Sequence, residues 1–330
     1  MTKADIARKW RKKHPGFNTK KLSRVVYKAE KLSFKDERDA YDTLRYIEGK
    51  KGDAKRKSVE KTEFFKKDPR PYNPYKLPKS DQRKYKPYLI RGIKMLLVLS
   101  DIHLPYHDVP ALTAAIKFAK GYKIDGILLN GDTLDFFGLS RFVRDPGKRD
   151  FAGELQMFKD IIAILKKEFP GAKIILKIGN HEERYMHFLW TKASELDGVD
   201  EFKLESILKT RANGITIIGE KRVIKANGLN IIHGHEFSHG FFNPVNVARG
   251  LYLRAKTSAM QGHSHASSEH TEPDLNQKIT TTWSVGCLCE LHPQYAPINK
   301  WNHGFAIIDL HANGKTFEVT NKRILNGKVL

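Results

Sequence analysis

The sequence predicts an α/β domain preceded by a small all-α module. From residue 93 short apolar runs alternate with amphipathic stretches, the pattern of strands and helices in turn. Residues 2–49 carry helical periodicity alone, and a proline-rich stretch that suits neither element separates the two regions. The 330 residues, 40% hydrophobic and 10% aromatic, suffice for a sizeable core and exclude global disorder. The expected division is a basic three-helix module at 1–52, a Pro/Tyr/Lys-rich linker at 53–92 and the α/β domain at 93–330.

In the module, Thr2 followed three residues later by Asp5 reads as a helix start, with Ile6, Ala7 and Trp10 on one face until His14-Pro15-Gly16. A second helix is expected from Thr19 to Lys31, with Leu22, Val25, Val26 and Ala29 inward and Lys20, Lys21, Arg24 and Lys28 outward. Ser33 with Asp36 opens a third, in which Tyr41, Leu44 and Ile47 recur until Gly49-Lys50-Lys51-Gly52. Three short helices with a basic second one resemble a helix-turn-helix module, which implies DNA contact through Lys20, Lys21, Arg24 and Lys28, although other small bundles share the pattern. Between 66 and 88, Pro69, Pro71, Pro74, Pro78 and Pro87 favour an extended tether. Its tyrosines, Tyr72, Tyr75, Tyr85 and Tyr88, suit packing onto the next domain better than stacking on bases.

The α/β domain opens with buried strands at Ile93 to Ser100, Gly126 to Asn130 and Lys173 to Ile178. Helices follow each, at Val109 to Lys120, Phe151 to Phe169 and Glu182 to about Leu196. Further strands are expected at Ile215 to Ile218, Arg222 to Ala226, Leu229 to Ile232, Ile279 to Val285 and Phe305 to Leu310, with a helix near Val245 to Leu253. This second half reads as a mixed sheet packed on the first.

Charge is unevenly spread. The formal net charge is +22, and residues 1–94 hold 30 Lys or Arg against 12 Asp or Glu. A cationic segment on a nearly balanced body points to a polyanionic partner, nucleic acid with DNA favoured, because neutralised phosphates release counterions. A solubilising surface is the alternative. No apolar run reaches a membrane span and the N-terminus lacks an apolar signal region, so a cytoplasmic protein without membrane association is expected. The two cysteines, Cys287 and Cys289, fit a reducing compartment and read as residues of one strand.

Polar clusters end the apolar runs: Asp101-Ile102-His103, Gly131-Asp132-Thr133-Leu134-Asp135, Gly179-Asn180-His181-Glu182, His233-Gly234-His235 and Gly262-His263-Ser264-His265. In an open α/β sheet such strand ends face one crevice. Burying these groups unpartnered costs about 2–7 kcal/mol each, so metal ligation explains them better than packing. In this order the motifs resemble the calcineurin-like metallophosphoesterases, over residues 93 to about 310. The resemblance implies a four-layer α-β-β-α sandwich and two divalent metals that activate water for in-line attack on phosphorus. Matched residue by residue, it makes Asp101, His103 and His265 ligands of one metal and Asn180, His233 and His263 of the other, with Asp132 bridging. Manganese is the first expectation, with iron, zinc or nickel as alternatives. His181 would serve the phosphate or leaving oxygen, and Asp135 would orient His181.

The substrate is approached through departures from the pattern. Phosphoprotein phosphatases of this superfamily carry Arg-Gly after the second motif, whereas Asp135 is followed by Phe136-Phe137-Gly138, which disfavours a phosphoprotein. Phe136, Phe137, Phe142 and Phe151 interleave with Arg141, Arg144, Lys148 and Arg149, suited either to base stacking beside a charged backbone or to anchoring a long loop. Arg184 and His235 are further substrate candidates, with a solvated helix residue and a supporting or surface histidine as their respective alternatives, and Glu236 to Arg249 a second cleft wall. The expectation is a phosphodiesterase or nuclease acting on nucleic acid. Alternatives are a phosphatase or phosphodiesterase of nucleotides or other small phosphoesters, localised by the basic segment, and a nucleic-acid-binding protein with a non-catalytic metal site. A basic module on such a domain also resembles phage-encoded or mobile-element members, implying action in a host cytoplasm.

Overall fold

The structure, a computed structural model, describes residues 1–51, 75–78, 81, 85–141, 150–219, 221–237, 245–293 and 296–330. Most of the expected linker, together with Arg144, Phe142, Lys148, Arg149 and the Phe241 to Pro244 part of the second cleft wall, lies outside the described residues. The chain divides into two compact units, Met1–Arg83 and Lys84–Leu330.

The first unit contains α1 (Lys3–Lys13), α2 (Thr19–Ala29) and α3 (Glu37–Ile47). Thr2 and Asp5 form the expected capping box, each side chain accepting from the other's backbone N–H. α3 starts later than Ser33 because Asp36 itself is the cap, its carboxylate accepting from Asp39 N at 2.7 Å. α2 stops at Ala29, which is exposed rather than inward. Leu22, Val26, Ala40, Leu44 and Ile47 bury together with Ile6, Ala7 and Phe34. The buried Arg11 pairs with the buried Glu48, whose other oxygen accepts from Thr19 Oγ1 at 2.8 Å. Lys20, Lys21, Arg24 and Lys28 are all exposed.

The second unit runs β1 (Tyr88–Leu89), β2 (Met95–Leu99), α4 (Val109–Ala119), β3 (Gly126–Asn130), α5 (Phe151–Glu168), β4 (Lys173–Lys177), α6 (Glu183–Lys192), α7 (Leu204–Ile207) and β5 (Ile215–Ile218). It continues with β6 (Ile224–Ala226), β7 (Leu229–Ile231), α8 (Val247–Ala255), β8 (Ala259–Gln261), β9 (Ser268–Pro273), β10 (Ile279–Ser284), β11 (His303–Leu310), β12 (Phe317–Leu325) and β13 (Lys328–Val329). One sheet has the order β13-β12-β11-β2-β3-β4-β5 and the other β1-β6-β7-β8-β10-β9. The pleat explains the layering: Leu97 and Leu99 of β2 bury among helix residues such as Ala115 and Phe158, while Leu96 and Val98 face Ile231, Met260 and Trp283 of the other sheet. α8 packs on the outer face of the second sheet through Leu251, Ile232 and Ala259. The result is the four-layer α-β-β-α sandwich.

Three expectations change. The halves are not separate sheets, because β11 pairs antiparallel with β2 and carries β12 and β13 into the first sheet. Within the expected linker, β1 pairs parallel with β6, and Tyr85 Oη accepts from Val223 N at 2.6 Å, so both tyrosines pack onto this unit. Cys287 and Cys289 lie in isolated bridges, to His303 and His107, rather than in one strand. Both are free and buried. Among the described residues no helix is long and apolar enough to cross a membrane.

Candidate metal centre

Parallel strands β2, β3 and β4 deliver Asp101 and His103, Asp132 and Asp135, and Asn180 and His181 just past their C-terminal ends. Parallel β7 and β8 deliver His233 and then His263 and His265. Asp101, His103, Asp132, His263 and His265 all take positive φ, between 49° and 62°, a conformation that costs non-glycine residues about 1–3 kcal/mol each and that clusters at functional sites. Two glycines allow the approach. At Gly131 a Cβ would stand 2.3 Å from His233 Nδ1, and at Gly179 one would stand 2.2 Å from Asp132 Oδ1.

The side chains form two nests that share a carboxylate. In the first, Asp101 Oδ1 lies 3.1 Å from His265 Nε2, which lies 3.3 Å from His103 Nε2. In the second, His233 Nε2 is 3.3 Å from Asn180 Oδ1, and His263 joins His233 and Asp132 in one group of convergent ligand atoms. Asp132 Oδ2 stands between them, 3.2 Å from His233 Nε2 and 3.8 Å from His103 Nε2. Buried carboxylates facing inward-pointing imidazole nitrogens are the donor chemistry a divalent cation requires. The expected ligand set is therefore assembled, and its residues fit two metals.

Electrostatics agree with that donor set. Burial would raise Asp101, yet the His265 imidazole holds its carboxyl at about 2. Burial would lower His233, yet the Asp132 and Asp101 carboxylates raise it to about 10. The proton that His233 holds must leave before its nitrogen can bind a cation, so metal uptake releases protons.

His181 sits beside the shared ligand, its backbone N donating to Asp132 Oδ1 at 2.9 Å. Its Nδ1 is 3.1 Å from Asp135 Oδ2, the expected orienting contact. The same oxygen lies 3.0 Å from His103 Nδ1, so Asp135 serves a ligand as well. Arg184 is neither solvated nor solely a substrate group: it donates to Asp135 Oδ1 at 3.0 Å and to its carbonyl at 2.8 Å, with Nη2 3.0 Å from His181 Nε2. His235 is held by Glu183, 3.2 Å from Nε2. Phe136 is fully buried and packs on Phe151 and Tyr185, the anchoring alternative. Phe137 stands edge-on to Tyr106 and is not among the lining residues of the adjoining cavity of about 1360 Å³, which Arg141, Arg184 and His235 do line.

Sequence reasoning missed the groups that hold the ligand loops. Glu182, fully buried, accepts from Asp132 N, Thr133 N, Leu134 N and Gly179 N at 2.7–3.0 Å. Its place in the Gly-Asn-His-Glu motif was the available signal. Glu236 accepts from His233 N and Gly234 N and pairs with the buried Lys177 at 2.7 Å. A lysine closing an apolar strand was the only hint. Cys289 Sγ approaches His265 Nδ1 at 4.0 Å, for which spacing carried no signal.

A family model described as calcineurin-like phosphoesterase matches residues 95–279. The chain is 26% identical over 233 residues to the Gene 54 protein of Mycobacterium phage D29, covering 67% of this chain and 90% of that protein. It is 26% identical over 228 residues to the Gene 54 protein of Mycobacterium phage L5, covering 65% and 88%. Among solved structures, vacuolar protein sorting 29 from Cryptosporidium parvum aligns with a TM-score of 0.39 at 13% identity, over 72% of this chain and 95% of that one.

Proposed function

The chain belongs to the calcineurin-like phosphoesterase family, whose chemistry is metal-dependent phosphoester hydrolysis, and on that premise we propose a phosphodiesterase or nuclease acting on nucleic acid. Charge carries this reading. Residues 1–94 hold a surplus of 18 positive charges out of 22, and Lys20, Lys21, Arg24 and Lys28 on α2 are all open to solvent. Such a cationic unit gains affinity for phosphate backbones by counterion release, and DNA is the favoured polymer. The phage relatives support action in an infected host's cytoplasm.

In this reading Asp101, His103 and His265 would hold one metal and Asn180, His233 and His263 the other, with Asp132 available to both, and manganese is favoured. The metals supply Lewis-acid polarisation and an activated water. His181, oriented by Asp135, meets the phosphate or gives a proton to the leaving oxygen.

The test is Mn²⁺-dependent hydrolysis of single- and double-stranded DNA, RNA, mononucleotides and cyclic nucleotides at two salt concentrations. Polymer cleavage is expected to fall with salt and to drop about 10²–10⁴-fold in His181→Ala. Glutamine at the four α2 positions should flatten the salt dependence. Turnover confined to mononucleotides and cyclic nucleotides would overturn the reading.

A further inference from the structure

The cavity beside the metal centre, about 1360 Å³, exceeds the roughly 300–1,000 Å³ of small-molecule sites. Asn180 and His263 line its inner end. From there one wall follows α6, where Arg184, Phe188 and Lys192 all line the space and, spaced four apart, share one helix face. Lys221, Phe237 and Arg254, from outside α6, line the same cleft, with the Arg254 guanidinium 5.0 Å from the Phe237 ring centre. Among the described residues one carboxylate, Glu183, lines the cleft with these cations, and it already lies 3.2 Å from His235 Nε2 and 3.8 Å from Lys221 Nζ.

We propose that this cleft is a track for a single nucleic-acid strand, in which Lys192, Lys221 and Arg254 hold phosphates flanking the scissile one while Phe188 and Phe237 meet bases. The proposal rests on the nucleic-acid reading above and adds strand state and the residues that select polymers over small esters. Length supports it: Arg184 to Lys192 spans about 12 Å at about 1.5 Å per residue, room for about two to three nucleotides at no less than about 3.4 Å each. Chemistry supports it too. Cations interleaved with aromatic faces are how proteins grip single strands, whose bases are free to stack. A duplex keeps its base faces stacked inside. At the cleft's inner end Asn180 is half-buried and His263 exposed, so a phosphate held along the cleft reaches these two ligands directly.

The experiment uses the full chain with Mn²⁺ and compares kcat/KM for single-stranded oligonucleotides from dinucleotide to dodecamer, the duplexed dodecamer, and bis(4-nitrophenyl) phosphate. Wild type should gain with length up to a few nucleotides, level off, and prefer single strand over duplex by at least about tenfold. Lys192→Gln with Arg254→Gln, both at exposed positions, should lower the octamer-to-small-diester ratio of kcat/KM about tenfold or more. It should also flatten the salt slope by about 0.7 per cation removed, and Phe188→Ala should lower the same ratio without changing that slope. Oligonucleotide cleavage independent of length, equal cleavage of duplex, or an unaltered ratio in the double variant overturns the track and leaves the nuclease reading standing. Turnover of the small diester with no oligonucleotide cleaved overturns the nucleic-acid reading, and the track with it.

Discussion

Asp135 is the residue on which ligand and proton chemistry meet. Its Oδ2 lies 3.0 Å from His103 Nδ1 and 3.1 Å from His181 Nδ1. Despite burial, these two imidazoles hold its carboxyl far below the usual carboxylate range. A carboxylate behind a metal-ligating imidazole fixes the ring's tautomer and raises its basicity, and its loss typically costs about 10- to 100-fold in metal affinity or activity. Asp135→Asn should therefore weaken Mn²⁺ binding about tenfold or more by calorimetric titration and also lower kcat at saturating metal. An unchanged affinity would confine Asp135 to His181. Glu236 has a separate duty: burial opposes its charge, but Lys177 brings its carboxyl to about 2. The folded carboxyl binds its proton less readily than the unfolded one, so its stabilisation, about 3 kcal/mol from the shift, is complete above about pH 4.5 and lost as pH falls toward 2. Lys177→Met should flatten the acid limb of stability against pH in denaturant titrations.

At the scale of elements, the strand ends do the positioning. Three ligand loops, after β2, β3 and β8, turn back two residues past their strands through left-handed backbone at Asp101, Asp132 and His263. That brings side chains from two sheets together at contact distance. Such closeness demands glycine where loops touch. In Gly179→Ala the new methyl would lie 2.2 Å from Asp132 Oδ1 and 2.5 Å from Asp132 N, so the loop must move. Expected are a loss of about 1–3 kcal/mol in stability and loss of Mn²⁺ binding, read by thermal melts with and without metal. Melts that gain as much from Mn²⁺ as wild type would show that the loops tolerate separation. The buried strands were legible because β2, β3 and β4 are apolar on both faces, as a sheet covered on both sides requires. β12 was not, because Glu318, Thr320, Lys322 and Arg323 leave too little apolar alternation to stand out.

Across the whole molecule, two features are set by different physics. The charge asymmetry is a property of the chain and survives any fold. The sandwich depends on β11 returning to lie beside β2, a pairing between residues some two hundred positions apart. By itself the sequence determined the α/β class, the strand and helix order from β2 to β7 apart from the short α7, the ligand motifs and the cationic first quarter, because each is written locally as periodicity, spacing or composition. It also yielded the ligand grouping through the resemblance those motifs carry. Only the tertiary structure decided that Asp135 is shared by two imidazoles, that Arg184 turns onto it, that Glu182 and Glu236 tie down the ligand loops, and that residues of α6 and α8 line one cleft beside the ligands. Those facts rest on distances between segments remote in the chain. Local propensity carries no record of such distances, which are set only when both sheets close over one core.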